Sequence, residues 1–271
     1  MKSSKELSID ITLIDLIESF DLSGLAMKCL KILLANEEIQ RTQEFANTVS
    51  IIRLGFNDHG PVHMRTVTYN AAFMTDLLRK AGIKTSLETD GCGDFEDSII
   101  AVMFAAMLHD IGMGMGSQNH ELHSTFLAYP VIDSVLDQVY QNNLRKKVMI
   151  RSVALEGIAG HMGTIGISSL EAGIVQVADG CDMTKGRARI PIALGHSPRV
   201  GHIHQYSANS IEKVNISSGK EKPVRIEVFM SSEVGLFQVE EILMNKIAIS
   251  TAKQYIELYA LVNNEEPRRY L

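Results

Sequence analysis

AAMLHDIGMGMG, residues 105–116, is an apolar run that ends in adjacent His109 and Asp110 and continues into glycines alternating with methionines. Two readings are open. In the first, a core helix stops at a glycine-rich turn and the His-Asp pair merely caps it. In the second, the helix end holds an imidazole and a carboxylate for chemistry, and the glycines let the backbone turn away from them. The pair alone does not decide, so the surrounding sequence must.

Outward from this run, the apolar spacing from about residue 12 to 195 is mainly helical. Leu13, Leu16, Ile17 and Phe20 recur at threes and fours, as do Leu22, Leu25, Cys29, Ile32 and Leu33. A helix is expected to start near Gly60-Pro61, with Pro in its first turn and Asp58 just before it, and to stop at Gly82. Its inward residues are expected to be Val62, Thr66, Tyr69, Phe73 and Leu77. GCGDFEDS (91–98) reads as a loop and acidic cap ahead of an apolar helix over 97–109. Further helices are expected over 119–139, 142–159 and 168–183. After Pro191 the pattern changes. VRIEVFM (224–230) alternates as a strand does, and SIEKVNIS before it suggests the other arm of a hairpin. GLFQVEEILMNKIAIS (235–250) reads as an amphipathic helix, and QYIELYALV (254–262) as a third strand or a helical extension, with strand preferred. The expected organisation is a helical domain over 1–199 followed by a small α+β appendage over 200–271.

With 271 residues and 45 % hydrophobic content, the chain has ample material for one large core. A net charge of −6 gives no electrostatic case for duplex nucleic acid or an anionic membrane. The three cysteines are far apart and fit reduced thiols, and MKSSKELSIDITLIDL at the N-terminus is too polar for a signal peptide. No uninterrupted run of about eighteen apolar residues suggests a membrane span. A cytoplasmic protein is therefore expected. The appendage is too small to bury much apolar surface alone, so it is expected to pack on the helical body or to pair with a second subunit, as in a homodimer.

Of nine histidines, six fall at expected element ends in the helical body: His59 and His63, His109, His120 and His123, and His161. Asp110, Asp179 and Asp182 sit among them. Singly, each has a plain structural explanation: a partly buried helix histidine, a solvated helix start, a turn residue. Together they place imidazoles and carboxylates at the ends of separate helices, which is how a metal site is built in a helical bundle.

HMRTV (63–67), LHDIG (108–112), NHELHSTFLA (119–128), AGHMG (159–163) and ADGCDMTKGRAR (178–189) resemble, in order and spacing, the motifs of the HD-domain metal-dependent phosphohydrolases. The resemblance covers roughly residues 55 to 195 and implies a mainly α, helical HD-domain bundle. It also implies that His63, the His109-Asp110 pair and Asp179 hold one metal. His120 and His161 match the additional histidines of two-metal members, with Asp110 as the bridge; His123 is the alternative to His120. His59 and Asp58 would lie near the mouth, with a capping role favoured for Asp58.

Imidazoles and carboxylates suit two divalent ions of Mn, Fe, Co, Ni, Zn or Mg without choosing between them, and the lack of a thiolate cluster argues against structural zinc. The implied activity is hydrolysis of a phosphorylated small molecule, nucleotide-like, with Asp110 in the catalytic centre. Lys185, Arg187 and Arg189 are the candidate phosphate-binding cations; the alternative for them is a solvated basic turn. Two departures from the family pattern matter. Met113 stands where many two-metal relatives have lysine, and the Gly-Tyr-Pro signature of the cyclic-di-GMP-degrading branch is absent. A regulatory protein that binds metal or nucleotide with little turnover, or a di-iron oxygenase, stays open as an alternative.

Overall fold

The computed structural model describes residues 2–185, 203–263 and 266–271. The stretch from Phe95 to Leu108 (α6) lies at its centre, and every one of its residues is buried. A helix apolar on all sides must be enclosed by others. Asp94 caps it, accepting from the Asp97 backbone N–H, while the Asp97 side chain returns the bond to Asp94. The segment Phe95–Gly114 is long and apolar enough to cross a bilayer, but here it is a core element enclosed by the bundle.

Helices Ser4–Glu18 (α1), Leu25–Ala35 (α2) and Glu37–Thr48 (α3) come first, and a π-turn follows at Val49–Arg53. Next come Pro61–Lys80 (α4) and the short Ser86–Thr89 (α5). After α6, a 3-10 turn at Ile111–Gly114 leads into His120–Tyr140 (α7), Leu144–Gly160 (α8) and Leu170–Cys181 (α9). Helices α2, α4, α8 and α9 all pack on α6. The expected α4 boundaries agree with the structure, since Pro61 opens the helix and Gly82, with φ +77, follows its end. Of its expected inward face only Leu77 is buried. Met64, Val67, Ala71, Met74 and Leu78 form the buried stripe, whereas Val62, Thr66, Tyr69 and Phe73 are only half-buried. The cause is that α4 touches α1, α6 and α9 at once, so burial covers a broader arc than one apolar stripe and shifts its centre.

The C-terminal region is a four-stranded sheet in the order β1-β2-β3-β4, made of Ile211–Ser218 (β1), Val224–Met230 (β2), Ile256–Val262 (β3) and Arg268–Arg269 (β4). β1 and β2 form the expected antiparallel hairpin, and β3 pairs parallel to β2. The parallel pairing requires a crossover, supplied by a π-turn over Gln238–Leu243 and the helix Met244–Ile249. Val224, Ile226, Val228 and Met230 on β2 are buried and alternate with half-buried residues. This face joins the helical core, where Val224 and Ile256 meet Met74, Leu78, Ile174 and Val177 of α4 and α9. The appendage thus packs on the helical body within one chain. The expected division at 199/200 lies outside the described residues.

Candidate metal centre

Four imidazoles and two carboxylates converge where α4, α6, α7, α8 and α9 meet. His109 and His161 are the C-caps of α6 and α8. Each turns its Nδ1 back onto a carbonyl of its own last turn: His109 onto Ala106 at 2.9 Å and His161 onto Ile158 at 2.7 Å. Those carbonyls lack an intrahelical partner, so the ring caps the helix and is itself fixed. His120 opens α7, and its Nδ1 reaches the Ser117 carbonyl at 2.9 Å. His63, in the first turn of α4, instead uses Asp182, with Nδ1 2.7 Å from Oδ2.

A carbonyl or carboxylate only accepts, so each Nδ1 carries a proton, and in the neutral ring each Nε2 then has an inward lone pair to give. The His63 and His109 Nε2 atoms lie 3.1 Å apart, and those of His120 and His161 lie 3.2 Å apart. At these separations a shared proton, or a metal ion in its place, must sit between the two nitrogens. Asp110 stands between the two pairs. Its Oδ2 is 3.3 Å from His63 Nε2 and 3.2 Å from His109 Nε2. Its Oδ1 is 3.2 Å from His120 Nε2 and 3.4 Å from His161 Nε2. Asp179 Oδ1 joins the first pair, 3.2 Å from His63 Nε2. Three overlapping groups of donor atoms lie close enough together to hold a metal ion: His63, His109 and Asp110; His109, His161 and Asp179; and Asp110, His120 and His161.

The electrostatics agree. Burial pulls the His109 ring down, but Asp110 and Asp179 outweigh it and raise it to about 9. Burial also opposes ionisation of Asp110 and Asp179. For Asp110, His109, His59 and His120 reverse it, and for Asp179, Lys246, His109 and His63 do, so both carboxyls lie well below the usual carboxylate range. In His161 burial prevails over Asp110 and holds the ring below its ordinary value. Protons and an ammonium group thus balance carboxylates that divalent ions would neutralise.

Gly112 makes the geometry possible. A side chain there would strike the His120 carbonyl at 2.1 Å and the Ser124 amide nitrogen at 2.5 Å, and the Gly112 N–H donates to Ser124 Oγ at 2.8 Å. This close approach brings the start of α7 against the end of α6. Of the two histidines in that first turn, His120 enters the cluster. His123 lies on α7 away from it, its Nδ1 buried without a hydrogen-bond partner. His59 lines the cavity in front of the centre, and Asp58 accepts from the Gly60 N–H at 2.7 Å in a turn ahead of α4, whose N-cap, Gly60, has no side-chain capping bond.

That cavity holds about 420 Å³, a volume suited to a small molecule. Phe56, Met113, Met162, Met183 and Ile242 give it apolar walls, and Asn57, Ser117, Gln238 and Lys246 add polar groups. Lys185 is exposed and does not line it. Arg187 and Arg189 lie outside the described residues. Asp182, one of the clustered carboxylates of the sequence, has His63 as its partner, and Lys246, outside that cluster, meets Asp179 Oδ2 with its ammonium. A signal for Lys246 was present: with Val239, Leu243 and Ile247 buried, it falls beside the core-facing stripe of an amphipathic segment, an unusual place for lysine.

A family model described as the HD domain matches residues 62–184, which span the cluster from His63 to Asp182. An uncharacterized protein of Methanocaldococcus jannaschii is 39% identical over 253 residues, 93% of this chain and 95% of that protein. The likeness therefore extends well beyond the matched domain. No solved structure matches the chain. With the ordered motifs, the converging imidazoles and these matches together, the chain belongs to the HD-domain superfamily of metal-dependent phosphohydrolases.

Proposed function

We propose that the protein hydrolyses phosphate mono- or diesters of a nucleotide-like small molecule at a two-metal centre. The observation that carries this reading is Asp110, which presents one oxygen to each histidine pair. His63, His109, Asp110 and Asp179 would hold one ion, and Asp110, His120 and His161 the other. Bound divalent ions lower the pKa of a coordinated water from about 15.7 toward about 7 and neutralise charge on phosphoryl oxygens.

The chain's own residues supply the rest. The carbonyls behind His109, His120 and His161 and the carboxylate behind His63 hold each Nε2 in its acceptor form. Phe56, Met113, Met162 and Met183 keep water off one side of the cavity and offer apolar contact to an organic group. Asn57 adds a polar residue to the same wall.

The test is hydrolysis by protein reconstituted with each divalent metal, against phosphomonoesters, phosphodiesters and nucleotides, with a chelator control. Metal-dependent phosphate release is expected. Stoichiometric metal without turnover of any phosphate ester would sink the hydrolase reading and favour a binding role. An iron-specific signal with oxygen consumption and no phosphate release would favour oxidation chemistry.

A further inference from the structure

The segment Gln238–Ile249 lies directly on α9, the helix that carries Asp179. Gly180 permits this, because a methyl group there would press on Leu243 Cδ1 at 3.1 Å and Lys246 Cδ at 3.3 Å. Gly173, seven residues earlier on the same face, leaves room for Ser250–Ala252, and a methyl there would meet Thr251 Oγ1 at 2.1 Å. Ser250 Oγ donates to the Gly173 carbonyl at 2.9 Å and Thr251 Oγ1 to the Ser169 carbonyl at 2.8 Å. The C-terminal region is thus latched along α9 at both ends, and it contributes Gln238, Ile242 and Lys246 to the cavity wall.

Among the described residues lining that cavity, Lys246 is the one lysine or arginine. Its side chain is only 12% exposed, and its ammonium bonds Asp179 Oδ2, while Asp179 Oδ1 faces His63. One of the three ammonium donors is used there, leaving two for a ligand in the cavity. Three carboxylates, Asp110, Asp179 and Asp182, line the same space. Two divalent ions leave one net positive charge against these three; Lys246 makes it two. Met113, also lining the cavity, is apolar and contributes none.

We propose that Lys246, delivered by the C-terminal region, is a phosphate-binding cation of the site and tunes it toward the dianion of a terminal phosphomonoester. A monoester carries about −1.5 to −2 charges near neutral pH, whereas a diester carries one. This inference rests on the phosphohydrolase reading of the same centre.

The experiment compares the metal-loaded full chain with Lys246→Met and Lys246→Arg. It measures metal per chain, the affinity for inorganic phosphate by calorimetry, and kcat/KM for 4-nitrophenyl phosphate and bis(4-nitrophenyl) phosphate. In Lys246→Met the metal content stays, phosphate affinity falls roughly ten- to a hundred-fold, and kcat/KM for the monoester falls by a similar factor. The diester loses clearly less, and Lys246→Arg recovers most of the loss. Unchanged phosphate affinity with an unchanged monoester-to-diester ratio overturns the proposal and leaves the hydrolase reading intact. Metal loss with equal loss on both esters also overturns it, reducing Lys246 to a support for Asp179. Wild-type protein that binds no phosphate overturns it as well. Weakened phosphate binding in a protein whose wild type cleaves neither ester keeps Lys246 and removes the hydrolase reading.

Discussion

The two halves of the centre are held in different ways. His109, His120 and His161 are each fixed by a carbonyl three residues earlier in the chain. His63 and Asp179 depend on distant partners, Asp182 at a separation of 119 residues and Lys246 at 67. The first kind of anchoring forms with the helix end itself and needs no tertiary structure. The second exists only once α4, α9 and the C-terminal region are docked. The half around His120 and His161 is therefore built into local structure, whereas the other half joins the locally anchored His109 to His63 and Asp179, which only the fold holds in place.

Asp110 belongs to both halves, and its loss should have the largest effect. Asp110→Ala is expected to lower bound metal from about two ions per chain to nearly none and to cut hydrolysis by roughly three decades or more, with helical content retained. Full metal occupancy with normal turnover in this variant would eliminate the proposed centre. His161→Ala separates the halves. His161 lies close to Asp110 Oδ1 and in the proposed two-metal centre serves the second ion, so metal should fall from about two per chain to about one. Elemental analysis of matched preparations reads this directly, and an unchanged ratio would show that the halves do not bind separately.

The distant anchors can be weakened without touching a ligand. Asp182→Asn leaves His63 in place but replaces the carboxylate on its Nδ1 with a neutral amide. Loss of such an outer partner typically costs about 10–100-fold in metal affinity. The ion near His63 should be the one that weakens, and chelator titration should show one ion leaving early while the other stays. If both ions titrate together as in the wild type, the distinction between the halves has no energetic content.

This division also sets what was legible in the sequence. Helix spacing, the Asp94 cap and the β1–β2 alternation are local patterns, and they reappear in the structure close to where the residues place them. The converging histidines were legible because ordered motifs mark them, and because imidazoles at helix ends are self-anchoring. The pairings of Asp182 with His63 and of Lys246 with Asp179 were not legible, since no local pattern pairs residues across 119 or 67 positions. The inward face of α4 was misplaced for the same reason: three neighbouring helices, and not its own periodicity, decide which residues are buried. The resemblance already favours His120 over His123, and the Gly112 contact supplies the physical reason, because it sets how α7 is rotated against the end of α6.

The smallest expected effect concerns the connection between the halves. His161 ends α8 and Asp179 lies on α9, and Glu156 ties the intervening loop. Its Oε1 accepts from the Ser168 N–H at 2.5 Å, the Ser168 hydroxyl at 2.7 Å and the Ser169 N–H at 3.2 Å. Burial raises the Glu156 carboxyl, but the bonds from Ser169 and Ser168 outweigh it and hold it below its ordinary 4.5. A carboxyl whose folded value is depressed stabilises the fold above its unfolded value, and that stabilisation is lost as pH falls through the folded value. Glu156→Gln should therefore lower the melting temperature of chelated protein at neutral pH. A half-buried charged hydrogen bond on the order of 1 kcal/mol corresponds to about 2–4 °C in a chain of this size. Below about pH 4.5 the wild type should descend toward the variant, and the two curves should converge in acid. A constant offset at every pH would mean that the Glu156 charge contributes nothing, and that shape alone holds the loop joining the two halves.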